Sequence, residues 1–213
     1  MHRLRLKFSR GPQLKFLSHL DLMRLWERAF RRADVEIVYS EGFSPHPKMS
    51  LAAPLAVGVT SNAELMDVFL SRHTTPGNFV QKVAPQLPDG ISIIDVQPVS
   101  LEAPSLQSRL RFAEYVVEVP AQQGAAEVEH SLKSLLALES LPWHHTRDTG
   151  ERFYDLRPLL DDLWMAGKKD EVYSIGMRLR CDSSGSGRPE QIIKALGLTG
   201  APASIERTGL VFI

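Results

Sequence analysis

The sequence has a single cysteine, Cys181, among 213 residues. One thiol excludes an intramolecular disulfide, and it excludes a cysteine cluster that could hold an iron–sulfur centre or a structural zinc ion. Cys181 falls near the end of a predicted strand, where a free cysteine usually behaves as a small buried hydrophobic residue. We therefore expect no nucleophilic role for this thiol, and neither a metal nor a cofactor in the protein.

Several catalytic signatures are missing as well. The sequence contains neither the GxSxG of a nucleophile elbow nor the HExxH of a zinc protease. The run of serine and glycine at residues 183–187 has no lysine where a P-loop requires one, which excludes that mode of nucleotide binding. Neighbouring residues of a strand point to opposite faces, so we predict no metal site at the adjacent pair His144 and His145.

Long apolar runs are also missing, since none approaches the ~18 residues of a membrane span. The N-terminus alternates basic and apolar residues and lacks the apolar segment of a signal peptide, which favours a cytoplasmic protein. The net charge is zero, with 25 basic and 25 acidic residues. Residues 1–48 nevertheless hold ten basic and five acidic residues, a net of +5, which leaves −5 for the remainder. This basic part could bind nucleic acid locally, although zero net charge argues against strong non-specific binding.

The most informative segment begins with a helix that has a basic face. Ser18 is a favourable N-cap, and Asp21 three residues later gives a capping-box pattern with Asp in place of Glu. At helical spacing, one side carries apolar residues: Leu22, Leu25, Trp26, Ala29 and Ala33. The opposite side carries four arginines: Arg24, Arg28, Arg31 and Arg32. This pattern is typical either of a solvated helix face or of a phosphate-binding face, because the guanidinium fork matches phosphate oxygens.

A loop of Gly, Ser, Pro, His and Lys follows at residues 40–48. Two prolines bracket His46 and hold the backbone extended, so we expect this histidine to be exposed. An exposed imidazole there would suit proton transfer or a phosphate contact, although the prolines could equally serve only to make a rigid turn. His19 lies just inside the helix N-terminus, and a joint site with His46 would form only if the loop folds back over that end.

These motifs also carry a family resemblance. The run FLSHLDLMRLWERAFRRA followed by YSEGFSPHPKMSLAAPLAVGV closely resembles a bacterial family of radical SAM-linked proteins of unknown function. The match extends through AELMDVFL and, more weakly, through YDLRPLL and RPEQIIKALGL. Members of the family stand alone or are joined to a B12-binding radical SAM protein, which implies an intracellular bacterial protein with a radical SAM enzyme as a partner. A radical SAM enzyme needs three cysteines for its cluster, so this chain is not such an enzyme itself.

The order of predicted elements indicates an α+β fold. The elements of the first half are a strand at residues 2–10, the capped helix, a strand at residues 35–38, an extended run at residues 49–53, a strand within residues 63–71, a helix that begins at Pro76, and a strand at residues 91–96. The second half follows roughly the same order. We predict two tandem ferredoxin-like (βαββαβ) domains with antiparallel sheets, residues 1–98 and 109–213, joined by a polar connector at residues 99–108.

Three functions remain open. The first is RNA binding by the basic helix face, by Lys48 and by Arg3 and Arg5, which alternate with apolar residues on the first strand and should form its outer row. The second is a non-catalytic, substrate-presenting partner of a radical SAM enzyme, which the resemblance implies. The third is metal-independent RNA cleavage with His46 or His19 as general acid or base. We expect the chain not to be an enzyme on its own.

Overall fold

A computed structural model of the chain describes residues 1–147, 150–198 and 200–213. The chain divides into two compact units, Met1–Leu110 and Arg111–Ile213. Each unit combines helices with a mainly antiparallel set of strands, so the α+β class predicted from the sequence is confirmed. Across the described ranges, we find no helix that is long and apolar enough to cross a membrane.

The first unit has four strands and three helices. In chain order they are β1 (His2–Arg10), α1 (His19–Arg32), β2 (Met49–Leu51), β3 (Thr60–Leu70), α2 (Pro76–Val83), β4 (Ile91–Val99) and the short α3 (Leu106–Arg109). The strands lie side by side in the order β2-β3-β1-β4, and the paired neighbours are antiparallel. The two strands at the centre of this set are β1 and β3.

One strand lies later in the chain than predicted. Residues 35–38 make only an isolated bridge to β3, between Ile37 and Leu70, and the second strand is β2. Lys48 prevents a longer ladder, because its N–H donates to the Val38 carbonyl at 2.7 Å and its own carbonyl accepts from Phe69 N–H at 3.0 Å. The Pro/His loop therefore begins and ends beside the last residues of β3.

The core of the first unit lies between α1, α2 and one face of β1. The buried aromatic rings form a continuous chain of contacts, with centroid distances of 5.0 Å from Phe8 to Trp26, 5.4 Å from Trp26 to Phe30 and 5.7 Å from Phe30 to Phe79. Leu22, Trp26, Ala29 and Ala33 are buried as the helical spacing predicts, while Leu25 is only half-buried and Phe30 takes part instead. This packing fixes which face of α1 is turned to solvent.

The second unit has its own strands and helices. In chain order they are β5 (Leu110–Pro120), α4 (Ala125–Ala137), β6 (Pro142–Arg147), β7 (Gly150–Asp155), β8 (Leu160–Lys169), β9 (Val172–Asp182), β10 (Gly185–Ser186), α5 (Pro189–Ala195) and β11 (Ser204–Phe212). Strand β9 lies between β5 on one side and β8 and β10 on the other, and β11 lies next to β5. The pair β6 and β7 forms a separate two-stranded hairpin. Cys181, one residue before the end of β9, is half-buried and not fully buried as its position had suggested.

Candidate nucleic-acid interface

Helix α1 begins with the predicted cap. The hydroxyl oxygen of Ser18 accepts a hydrogen bond from Asp21 N–H at 3.2 Å, and the same hydroxyl donates to the Asp21 carboxylate at 2.6 Å. The Ser18 hydrogen bond and the nearby Arg24 charge hold the pKa of Asp21 below its usual value. The cap therefore fixes the residue at which the helix begins.

The outer face of α1 carries four exposed arginines: Arg24, Arg28, Arg31 and Arg32. Arg24 lies 3.3 Å from the Asp21 carboxylate, and Arg31 lies 3.2 Å from Glu27. Arg32 donates to the Gln86 carbonyl at 2.6 Å. Arg28 has no ion pair or hydrogen bond with any part of the chain that the structure describes. Solvent-exposed pairs of this kind contribute little stability, so these cations remain available to a partner.

The Pro/His loop is closed at its base and open at its tip. Ser40 N–H donates to the His46 carbonyl at 2.8 Å, and His46 N–H donates to the Ser40 hydroxyl oxygen at 2.9 Å. Between these two residues the chain turns through Gly42, whose φ of 125° is a conformation that favours glycine. Residues 41–46 are exposed, and the ring of Phe43 is fully exposed at the tip.

A contact between Tyr39 and Glu27 joins the loop to the basic helix. The Tyr39 hydroxyl lies 3.3 Å from the same Glu27 oxygen that accepts from Arg31, and Tyr39 itself stays partly exposed. At the C-terminal end of the loop, the Lys48 ammonium lies 4.8 Å from the centre of the Phe69 ring. The Tyr39–Glu27 contact therefore sets the loop beside the arginine face, and we name the two together the α1–loop surface: residues 24, 27, 28, 31, 32 and 39–48.

Arg3 and Arg5 correct the prediction of an exposed basic row on β1, and Arg3 lies 5.5 Å from the centre of the same Phe69 ring that Lys48 contacts. Arg3 is 4% exposed and bonds to Asp67, itself 2% exposed, at 2.6 Å, while Arg5 bonds to the other Asp67 oxygen at 2.8 Å. Arg3 also donates to the carbonyls of Ala103 and Pro104, at 2.6 and 3.1 Å. The residues after β4 cover this face of the strands, which is why an alternating pattern could not reveal the burial.

The two histidines predicted as acid and base are both exposed but lie on different parts of the first unit. The loop meets α1 at Glu27, eight residues beyond His19, which is about 12 Å along the helix axis. Within the described residues, no hydrogen bond or ring contact links His19 with His46. The arrangement brings His46 together with Lys48 and Phe43 in one loop and leaves His19 at the helix N-terminus.

Sequence reasoning missed Tyr39, which connects the helix to the loop. Its hydroxyl contact depends on how residues 35–39 run beside β3, and nothing in the local pattern indicates that course. The sequence left open whether Phe43 packs inward, and the structure places it in solvent. In the second unit, His144 stacks on Phe153 with a centroid distance of 4.5 Å, and the side chain of His145 lies outside the described part. The described residues include no group of three potential metal ligands.

By fold and surface this is a mixed α+β protein whose first unit presents an arginine-rich helix face beside an exposed loop. It belongs to the family described as an uncharacterized protein conserved in bacteria (DUF2344), because the model of that family matches residues 3–189. That description supports the predicted bacterial family of unknown function. The link to radical SAM enzymes is not part of it and stays a prediction.

Solved structures show similarity to this chain at low sequence identity. A chain of a Cbf5-Nop10-Gar1 complex is similar with a TM-score of 0.50 and 10% identity, over 97% of this chain and 48% of that chain. A chain in a structure of an H/ACA RNP bound to a substrate RNA containing 2′-deoxyuridine has a TM-score of 0.46 and 11% identity, over 97% and 46%. The present chain thus spans about half the length of these relatives, and at such identities the likeness concerns the fold alone. No curated protein matches the sequence.

Proposed function

We propose that the protein binds single-stranded RNA through the α1–loop surface. The observation that carries this proposal is the contact of Tyr39 with Glu27, which places the exposed loop beside the exposed arginines of α1. Phosphate contacts give a nucleic-acid-binding protein most of its affinity, and stacking aromatics let it hold unpaired bases. This surface offers both kinds of group side by side.

The charge of the surface favours an anionic partner. With Asp21 at the helix start, it carries three acidic side chains, and it carries five basic ones: Arg24, Arg28, Arg31, Arg32 and Lys48. The net charge is +2, and Arg28 makes no ion pair or hydrogen bond within the described residues. A phosphate can replace Asp21 or Glu27 as the partner of an arginine at little cost, because exposed ion pairs are worth at most about 1 kcal/mol.

The aromatic side chains favour a single strand over a duplex. Phe43 is fully exposed at the loop tip and Tyr39 is partly exposed at the loop base. Bases of a duplex are stacked on one another and offer no free face, whereas unpaired bases stack on such rings at about 1–3 kcal/mol each. The hydrogen bonds between Ser40 and His46 close the loop base and restrict the loop backbone, which lowers the entropy cost of binding.

Removing three arginines tests this proposal. In the variant Arg24→Ala, Arg28→Ala and Arg31→Ala, we expect weaker binding of a labelled single-stranded RNA and a flatter dependence of log K on log salt. Each lost phosphate contact should reduce that slope by about 0.7, so the slope should fall by roughly 2. Fluorescence anisotropy over a salt series measures both quantities, and alanine preserves the helix.

A matched control removes the same charge elsewhere. Lys82, Lys133 and Lys169 are exposed and lie outside the α1–loop surface. The variant with all three replaced by alanine should keep the slope of the parent protein. Equal losses in the two triple variants would show that net charge matters and the α1–loop surface does not. An arginine variant that bound like the parent would contradict the proposal outright.

Two functional alternatives depend on the same experiment. RNA cleavage would be an addition to binding, with His46 as the acid or base, since this imidazole stands in the loop that we propose contacts RNA. Partnership with a radical SAM enzyme rests on the sequence resemblance alone. Complete absence of RNA binding at low salt would favour that partnership, and the arginine face would then be either an ordinary solvated helix face or a protein-docking surface.

We further infer that each unit is a ferredoxin-like domain, residues 1–98 and 109–213. In the first unit, the order βαββαβ with strands arranged β2-β3-β1-β4 supports this inference. In the second unit, β5, α4, β8, β9, α5 and β11 follow the same order with the β6–β7 hairpin as an insertion. The segment at residues 99–108 would then connect the domains while packing on the first, through Arg3.

A further inference from the structure

The second unit contains a cavity of about 360 Å³ that no part of the proposed RNA surface uses. It lies between one face of the β6–β7 hairpin and the residues that run from β10 into α5. The side chains that matter for its chemistry are those of Arg152, Tyr154, Asp155, Ser186, Arg188 and Gln191. Its volume falls in the range of sites that hold small organic ligands.

Two arginines give the cavity its positive character. Arg152 comes from β7 and Arg188 from the residue before α5, and both are exposed at the cavity wall. Neither makes an ion pair, a hydrogen bond or a ring contact with the described residues of the chain. Arginine side chains without a protein partner, brought together from distant parts of the sequence, are suited to bidentate binding of an oxyanion.

A buried amide provides the second, independent sign of a ligand. Gln191 is only 8% exposed, although glutamine is a polar residue that usually lies at the surface. The Tyr154 hydroxyl donates to its Oε1 at 2.9 Å, which orients the amide so that the Nε2 donor is the free end. This Nε2 has no acceptor among the described residues, it is open to solvent, and Gln191 lines the cavity. A ligand oxygen would satisfy it.

Asp155, the acidic side chain among the described lining residues, is held by backbone donors at the base of the hairpin. Asp155 accepts hydrogen bonds from Leu141 N–H at 2.7 Å and from Arg157 N–H at 2.9 Å. These two backbone donors hold the pKa of Asp155 below its usual value. Asp155 therefore stays ionised and fixes the base of the hairpin, and among the described residues it forms no ion pair with Arg152 or Arg188.

We propose that this cavity binds a small organic phosphate. In this arrangement Arg152 and Arg188 bind the phosphate oxygens, and Gln191 Nε2 donates to the ligand inside the cavity. The phosphate monoester has two sources, a free nucleotide or sugar phosphate and the 5′-terminal phosphate of an RNA strand. The proposal stands apart from the RNA surface of the first unit, because the two share no residue.

Titration calorimetry with defined probes tests this site. The probes are uridine monophosphate, inorganic phosphate, uridine, citrate, and an RNA oligomer with either a 5′-phosphate or a 5′-hydroxyl. We expect saturable binding of uridine monophosphate, weaker binding of inorganic phosphate, and none of uridine. The two oligomers are compared in the arginine triple variant of α1, in which the proposed RNA surface is removed. Tighter binding of the 5′-phosphorylated oligomer than of its 5′-hydroxyl form would identify the RNA end as the source, and binding of uridine monophosphate with no difference between the oligomers would identify the free nucleotide.

Variants locate the binding. Loss of a charged hydrogen bond typically costs about tenfold or more in affinity, so Arg152→Ala with Arg188→Ala should bind uridine monophosphate at least tenfold more weakly. The variant Lys133→Ala with Lys169→Ala, which removes the same charge from exposed positions outside the cavity wall, should bind it normally. These four side chains are exposed, and the folded state should not change.

Several results would overturn the proposal. They are binding of uridine as tight as that of its monophosphate, binding of citrate as tight as that of phosphate, equal losses in the two double variants, and no binding of any phosphate probe at millimolar concentration. The arginine triple variant of α1 should bind uridine monophosphate normally. Failure of the RNA proposal and failure of this one are therefore distinguishable.

Discussion

Replacing Asp67 with alanine is expected to destabilise the protein by about 3–5 kcal/mol. Asp67 is 2% exposed and binds both Arg3 and Arg5, at 2.6 and 2.8 Å. Without it the Arg3 guanidinium stays buried, with backbone carbonyls as its remaining partners and no compensating charge. Urea unfolding of the full chain, followed by circular dichroism, measures the loss of unfolding free energy.

Arg5 provides the matched comparison for Asp67. Its side chain is 26% exposed, and its removal leaves the Arg3–Asp67 pair intact. We expect Arg5→Ala to cost only about 1 kcal/mol, which is the usual value of a partly solvated ion pair. An Asp67→Ala variant that lost no more unfolding free energy than Arg5→Ala would contradict this account. In that case the Arg3–Asp67 pair would not be the element that holds the residues after β4 against β1 and β3.

The second large effect is expected at Trp26. This side chain is fully buried and contacts both Phe8 and Phe30, so Trp26→Ala should cost about 3–5 kcal/mol of unfolding free energy. The indole N–H has no hydrogen-bond partner in the described part of the chain. Trp26→Phe keeps an aromatic ring and removes that unsatisfied donor, so it should cost less than about 1.5 kcal/mol.

Phe43 serves as the control, because its replacement is expected to leave the stability of the protein unchanged. Its ring is fully exposed, and Phe43→Ala should leave the unfolding free energy unchanged within about 0.5 kcal/mol. Urea denaturation of the three variants under one condition tests the whole set. A Phe43→Ala variant as unstable as Trp26→Ala would show that the loop packs against the protein, and it would remove the basis for stacking on an RNA base.

Local patterns predicted the parts of the structure that depend on nearby residues. The cap at Ser18, the buried face of α1 and its arginine face all follow from spacing within one helix. Residues 35–38 were wrongly predicted as the second strand, because their apolar content favours a strand. Their hydrogen bonding to β3 instead depends on Lys48, which bonds to both Val38 and Phe69. Strand pairing depends on contacts between segments that are distant in the sequence, and the local sequence pattern does not reveal these contacts.

The candidate sites were harder to predict than the fold, because they depend on contacts between residues that are distant in the sequence. The partner of Arg3 is 64 residues away, so an alternating strand could not reveal that this arginine is buried. The contact of Tyr39 with Glu27 spans twelve residues and joins two features that the sequence had identified separately. The cavity of the second unit combines a hairpin strand with the start of α5, and no motif links Arg152 to Arg188. In each case the residue types were visible and their proximity was not.

An NMR titration of the full chain with a short single-stranded RNA tests the RNA proposal most directly. At 23.8 kDa, the ¹⁵N-labelled protein is small enough for its amide signals to be followed one by one. The proposal predicts shift changes that saturate and that concentrate in α1 and in residues 39–48, including Phe43 and His46. Changes confined to other residues, or no change at low salt, would contradict the assignment of RNA binding to the α1–loop surface.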